Sequence, residues 1–463
     1  MSAMNNDLFD DFSQNPAASP SPPPTASSTA PNSTWLSESI TVPLRINSIR
    51  VEGVKNTRSG VIQEVIAPAL QAKSFDEVTK KLHQACGRLE QLEIMDGFEI
   101  AMDMAHGPLV PEHSVDVVIH AREKGRFWAR TGTEIGNSEG SAHTSANFRN
   151  LFGGGETLSI SGSVGTRTRA SHQATLAAPV NADPNQRFSL AAYQQNQTFQ
   201  ASSSHEQLFR GISLRYSGAF PGLHTEMGYS AVWRQIRELG FRASPSVRLE
   251  AGHSLKSGVY FSMLRDRRDN PTLPTQGYMW KWYSELAGLG GDVRFLKNEA
   301  QTQYNLPLGR GFVLSNTIRA GLLQPLQNDT TRICDRFFLG GPNSLRGFRP
   351  FGVGPRDQRD ALGGDFYWSS GLSLLTPLPN IDSDKLKGHL WANAGGLAQL
   401  KANTPLHQSV QESLCRPTSS VGLGLLFQYS MVRLELNFCL PLTMSVWDHA
   451  KKGWQFGMGI DFL

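Results

Sequence analysis

The stretch "MVRLELNF", Met431 to Phe438, changes character at every residue. Val432, Leu434, Leu436 and Phe438 fall on one side, and Arg433, Glu435 and Asn437 on the other. Successive side chains of a strand point to opposite faces, so this period of two predicts a strand with one apolar and one charged face. "WQFGMGIDF", Trp454 to Phe462, repeats the pattern. Trp454, Phe456, Met458, Ile460 and Phe462 alternate with Gln455, Gly457, Gly459 and Asp461.

The same alternation recurs in runs of about ten residues from 126 to 463, broken by Gly, Pro, Asn and Asp. No convincing amphipathic helix is expected there. "DRRDNPTLPTQG", Asp266 to Gly277, reads as a long turn between two strands. Whether Val247 to Ala251 forms a strand or part of a long loop stays open. Shared among sixteen strands, this region allows about 21 residues per strand and connection, which suits the roughly 9–11-residue strands of a membrane barrel. A soluble all-β fold would alternate too, but rarely needs so many strands.

Composition agrees with that reading. Charged residues are 18% of the 463, glycines number 44, and the formal net charge is +4. The basic residues are scattered, so no nucleic-acid partner is expected. No apolar run approaches the roughly 18 residues of a spanning helix, which leaves strand-built spans open. A mean hydropathy of −0.31 fits a barrel, where only alternate residues meet lipid. Cys86, Cys334, Cys415 and Cys439 lie far apart without metal-ligand spacing, so free thiols are expected.

Residues 1–42 read as a disordered tail. "PAASPSPPPTASSTAP" cannot build a core, and the segment has neither an apolar signal region nor the arginines of a transit peptide. Residues 43–123 read as a small β-α-α-β-β domain. Arg45 to Glu52 is a strand, and Val61, Ile62, Val65, Ile66 and Leu70 follow helical spacing. Ser74 with Glu77 three residues on forms a capping box. It opens a helix whose apolar stripe is Phe75, Val78, Leu82, Ala85, Leu89 and Leu92. Phe98, Ile100, Met102 and Met104 mark one strand, and Val115, Val117 and Ile119 another.

Signals for chemistry are weak. "GGGE" at Gly153 lacks the following lysine-serine/threonine pair of a phosphate loop, so a turn is expected. Histidines never pair at helical metal-ligand spacing, no nucleophile motif stands out, and no cofactor or enzymatic activity is expected.

"FFLGGPNSLRGF" resembles the signature loop of the outer-membrane β-barrel assembly family, with the core Leu345, Arg346, Gly347 and Phe348. The small domain looks like a POTRA (polypeptide-transport-associated) domain, and "DRRDNPTLPTQG" is similar to that family's strand-connecting turn. The resemblance covers about Pro43 to Leu463. One POTRA domain without a cleavable signal looks like the mitochondrial branch, the core subunits of the sorting and assembly machinery. It implies a mainly β fold: a sixteen-stranded transmembrane antiparallel barrel over 126–463, preceded by one POTRA domain. It also implies a place in the mitochondrial outer membrane, with the POTRA domain in the intermembrane space. The implied partners are accessory subunits, the lipid bilayer, and unfolded β-barrel precursors such as porin-type proteins and the general import pore.

The resemblance further implies a lateral gate between the first and last barrel strands. Here that seam would be Phe127, Ala129, Thr131, Gly132, Thr133 and Ile135 against Gln455, Gly457, Ile460 and Phe462, the last four fitting the family's β-signal. Gly132, Gly136, Gly457 and Gly459 remove side-chain packing across it. A client β-signal would pair with the opened first strand by β-augmentation.

Arg346 would lie in the barrel lumen, where a buried guanidinium needs partners. The resemblance implies that bacterial members of the family use acidic residues on the two barrel strands after the loop. This chain places Ser373 and Asn393 there, so neutral hydrogen bonds from them are expected, with Glu435 or Asp365 as counter-charge. A protein-translocation pore of the same superfamily, of the plastid-envelope or two-partner-secretion type, is the alternative function.

Overall fold

A computed structural model describes residues 44–106, 113–136, 139–327, 330–378, 385–400, 405–429, 432–459 and 463. The tail expected over 1–42 lies outside the described residues, as do Ile460 and Phe462.

The N-terminal elements are strand β1 (Arg45–Glu52), helices α1 (Ser59–Ile66) and α2 (Phe75–Gln91), and strands β2 (Met95–Met104) and β3 (Ser114–Glu123). The chain order is the expected β-α-α-β-β. In space β3 is central, parallel to β1 and antiparallel to β2. Val78 and Leu82 of α2 are fully buried against Val117 of β3. Ser74 Oγ caps α2 by accepting from the Glu77 amide at 3.3 Å, while the Glu77 carboxylate turns back to the amide of Lys73, not of Ser74. Leu70 departs from expectation. Helix α1 ends at Ile66, short of Pro68, and a separate 3-10 turn over Ala69–Gln71 leaves Leu70 exposed.

Sixteen strands follow in one antiparallel sheet. They begin with β4 (Phe127–Gly136), β5 (Glu139–Arg149), β6 (Thr157–Gly165), β7 (Thr168–Val180) and β8 (Asp183–Thr198). Next come β9 (Glu206–Phe220), β10 (Leu223–Arg237), β11 (Gly252–Asp266), β12 (Gly277–Ala287), β13 (Phe295–Gly309) and β14 (Phe312–Pro325). The short hairpin β15 (Arg356–Asp357) and β16 (Asp360–Ala361) stands apart from this sheet. The sheet resumes with β17 (Phe366–Pro377), β18 (Leu386–Ala398), β19 (Thr418–Tyr429), β20 (Val432–Thr443) and β21 (Gly453–Gly459). The expected 9–11-residue strands hold for β4, β5 and β6, but β8 runs to 16 residues. Strands longer than the bilayer requires carry ladders beyond the hydrocarbon.

The sheet is inside-out relative to a soluble fold. On β20 the charged and polar face, Arg433, Glu435, Asn437 and Cys439, is buried, while Leu436, Phe438 and Leu440 face outward. Ile212, Leu214, Leu423 and Leu425 are likewise outward and exposed. An apolar band of this extent around a polar interior is stable against lipid, not water. No helix among the described residues is long and apolar enough to cross a membrane.

Contrary to expectation, the barrel region is not free of helices. Connections after residue 126 do hold helices: α3 (Gln200–Ser203), α4 (Pro245–Leu249) and α5 (Leu406–Cys415). In α5, Leu406 and Leu414 are exposed, so it lacks the deep apolar stripe that would announce it. The ambiguous Val247 region is α4, capped by Ser244 with Pro245 in the first turn, where a missing amide is harmless.

Candidate functional site: a loop held in the lumen and an unladdered seam

Between β14 and β17 the chain turns back into the lumen. Its glycines make this possible where backbones crowd. Gly347, at φ +82°, passes so close to β19 that an added Cβ would sit 3.0 Å from that of Ser420. Leu345 and Phe348 are fully buried with Phe337, Leu339, Tyr367 and Leu463.

Arg346 is wholly buried between them. Its Nε and Nη2 donate to Glu435 Oε2 and Oε1 at 2.9 and 3.1 Å, a fork on a carboxylate. Nη1 donates to the Leu463 carbonyl at 2.6 Å, and the guanidinium lies 5.5 Å from the Trp391 ring centre. Ser420 Oγ donates to the Arg346 carbonyl at 2.5 Å. Glu435 also accepts from Arg433 at 2.5 Å and from Asn437 at 2.8 Å, so one carboxylate serves two guanidiniums.

The predicted partners are therefore sorted. Glu435 supplies the charge. Asn393, with its amide oxygen turned toward the loop, accepts from the Arg346 amide and Nη1 at 3.3 Å each. Ser373 lines a small cavity with Gln303, Arg433 and Leu463. Asp365 is a correction: it sits at the start of β17, accepting from the Leu400 amide at 3.0 Å and lying 4.0 Å from Arg336. The counter-charge thus comes from β20.

Gln455 carries a role that the sequence did not reveal. Its Oε1 accepts from the Gly347 amide at 2.9 Å, and its Nε2 donates to the Phe348 carbonyl at 3.1 Å. The side-chain amide thus pairs with the loop backbone as a strand would. The available signal was its place on the polar face of "WQFGMGIDF", directly opposite Asn437 in the ladder.

The predicted seam residues divide between the two end strands. Phe127, Ala129, Thr131, Gly132, Thr133 and Ile135 pair through β4 with β5, and Gln455 and Gly457 pair through β21 with β20. β4 and β21 end the sheet order. They come within 8 Å, Cα to Cα, yet no ladder joins them among the described residues. Gly132 lies against the His143 ring, where a Cβ would approach to 3.0 Å.

The turn after β11 folds across the lumen. Arg268 donates to Asp266 and to Gln303, Asn270 reaches Gln428 on β19, and Leu273 is buried against Val313, Leu375 and Leu426. The small domain meets the barrel at the turn after β5. Asn150 Nδ2 donates to Thr57 Oγ1 at 2.9 Å, and the Arg58 amide donates to the Gly153 carbonyl at 2.8 Å. Glu123 accepts from the amides of Asn56 and Thr57 at 3.0 Å each. Burial pushes its carboxyl up, but those hydrogen bonds outweigh it and leave Glu123 below its ordinary value.

Residues 150–462 match the model of the Omp85 superfamily domain. A fission-yeast protein described as SAM50-like (Schizosaccharomyces pombe) is 39% identical over 442 residues, covering 92% of this chain and 93% of its own. The mouse (Mus musculus) sorting and assembly machinery component 50 homolog is 34% identical, with 90% of both chains covered. Among solved structures, BamA from Haemophilus ducreyi lacking POTRA domains 1–3 superposes with a TM-score of 0.76 at 16% identity. It covers 90% of this chain and 84% of that one, a likeness of fold.

Proposed function

The chain belongs to the Omp85 superfamily, and from that premise we propose that it inserts and folds β-barrel precursors in the mitochondrial outer membrane. The mouse relative's description as a sorting and assembly machinery component, and the fission-yeast relative's as SAM50-like, support this reading. So does the seam between β4 and β21, which no ladder joins among the described residues, the observation that carries the mechanism.

In lipid, each unpaired backbone group costs several kcal/mol, so a nascent strand must pair before it leaves water. The free edge of β4 offers such pairing. A client strand shaped like β21, with one apolar face, adds to β4 in place of β21, and later hairpins add behind it. The reaction exchanges hydrogen bonds and burial and breaks no covalent bond, so it needs neither nucleotide nor catalytic residue. The small domain, read as a POTRA domain, faces the intermembrane space and meets clients first. Accessory subunits complete the complex.

Disulfide crosslinking of a client's last strand to cysteines placed singly from Phe127 to Ile135 tests the reading. A residue-by-residue register supports edge pairing. Crosslinks without register, or none, overturn it. Loss of passage of soluble proteins alone, on depletion, would favour a translocation pore.

A further inference from the structure

The lumenal loop is held at both walls. Arg346 and Gln455 bind it at β20 and β21. At the other wall, Asp335 of the loop's leading limb meets Arg234 of β10, Nη1 to Oδ1 at 2.6 Å, and both side chains are 1% exposed. In the sheet order β10 is the seventh strand and β20 the fifteenth, eight apart in a sheet of sixteen. The two ion pairs therefore grip the loop from opposite sides of the lumen.

Neighbouring contacts share this second grip. Lys297 Nζ donates to the Asp335 carbonyl at 3.3 Å, and its ammonium lies 4.5 Å from the Phe337 ring centre. Glu250, just beyond α4, accepts from the Ile333 amide at 2.5 Å and pairs with Arg336 at 3.2 Å. Ten residues separate Asp335 from Arg346, and Phe337, Leu339 and Leu345 among them are packed in one apolar cluster. A segment packed this continuously transmits a shift at one end to the other.

We propose that Arg234 is a positioning residue: by holding Asp335 at β10, it sets where Arg346, Gly347 and Phe348 meet β20 and β21. A buried ion pair adds little net stability over an apolar one but specifies geometry, and removing one partner strands the other. The proposal rests on the assembly role above for its functional consequence, though not for its structural test.

Cys439 supplies that test. It is fully buried on β20, and a Cβ added at Gly347 would lie 3.6 Å from its own Cβ, so the docked loop covers it. The measurement is the rate at which a small water-soluble maleimide labels Cys439, read by peptide mass spectrometry on the full chain in native membranes. Arg234→Met and Asp335→Asn should each label at least about tenfold faster than wild type while remaining carbonate-resistant. Arg234→Lys, which keeps the charge, should label near the wild-type rate. Either charge-removing variant, membrane-embedded but labelled as slowly as wild type, overturns the proposal. Failure of both to become carbonate-resistant also counts against it, because the pair would then hold the barrel and not the loop. Fast labelling with undiminished insertion of a porin-type precursor would leave the positioning role intact and count against the assembly reading.

Discussion

Arg346 and Glu435 are 89 residues apart in the chain, yet two parallel N–H to oxygen bonds join them where neither side chain touches solvent. Arg433 shares the same carboxylate. A small buried charge cluster thus anchors the loop at β20.

Arg346→Ala should leave the chain in the membrane but loosen the loop. Breaking a buried pair costs about 3–5 kcal/mol when the other charge is stranded. Arg433 stays beside Glu435, which places the loss at the low end. Denaturant unfolding of the purified barrel measures it, and insertion of a radiolabelled porin-type precursor should slow. Wild-type insertion would remove Arg346 from the mechanism.

Gln455→Leu should free the Gly347 amide and Phe348 carbonyl from β21, at about 1–3 kcal/mol for buried groups left unsatisfied. Gln455→Glu removes the Nε2 donor and sets a carboxylate against the Phe348 carbonyl. Both variants should speed hydrogen exchange at the Gly347 amide. Equal protection in all three proteins would show that the loop does not use this side chain.

Gly422→Ala probes the wall behind Arg346. An added Cβ would run into the Phe438 carbonyl and the Trp391 ring, on which the guanidinium rests. Overpacking of this kind costs about 1–3 kcal/mol. The variant should lose its compact, heat-modifiable gel mobility at a lower temperature than wild type. Unchanged mobility would mean that β19 and β18 yield freely there.

The junction at Glu123 has a defined pH dependence. Its carboxyl is lowered in the folded protein, so its stabilisation is fully present above the ordinary carboxylate value of about 4.3 and fades as pH falls through the lowered value. Amide protection at Asn56 and Thr57, corrected for intrinsic exchange, should therefore be flat from about pH 5 to 8 and fall only in stronger acid. Glu123→Gln should lower protection from about pH 5 to 8 and converge on the wild type in stronger acid. A transition near neutrality would point to a different group.

The alternation in "MVRLELNF" and "WQFGMGIDF" and the small domain's helical stripe did not announce α3, α4 or α5, but they were enough to tell strand from helix in their own segments and which strand face is apolar. Those are local properties, set by backbone geometry over two to four residues. The fold itself settled that Glu435, not Asp365, holds Arg346, that Gln455 binds the loop, and that β4 and β21 adjoin with no ladder among the described residues. Each depends on which distant strands become neighbours. A period of two says which way a side chain points, but long-range register decides what it meets.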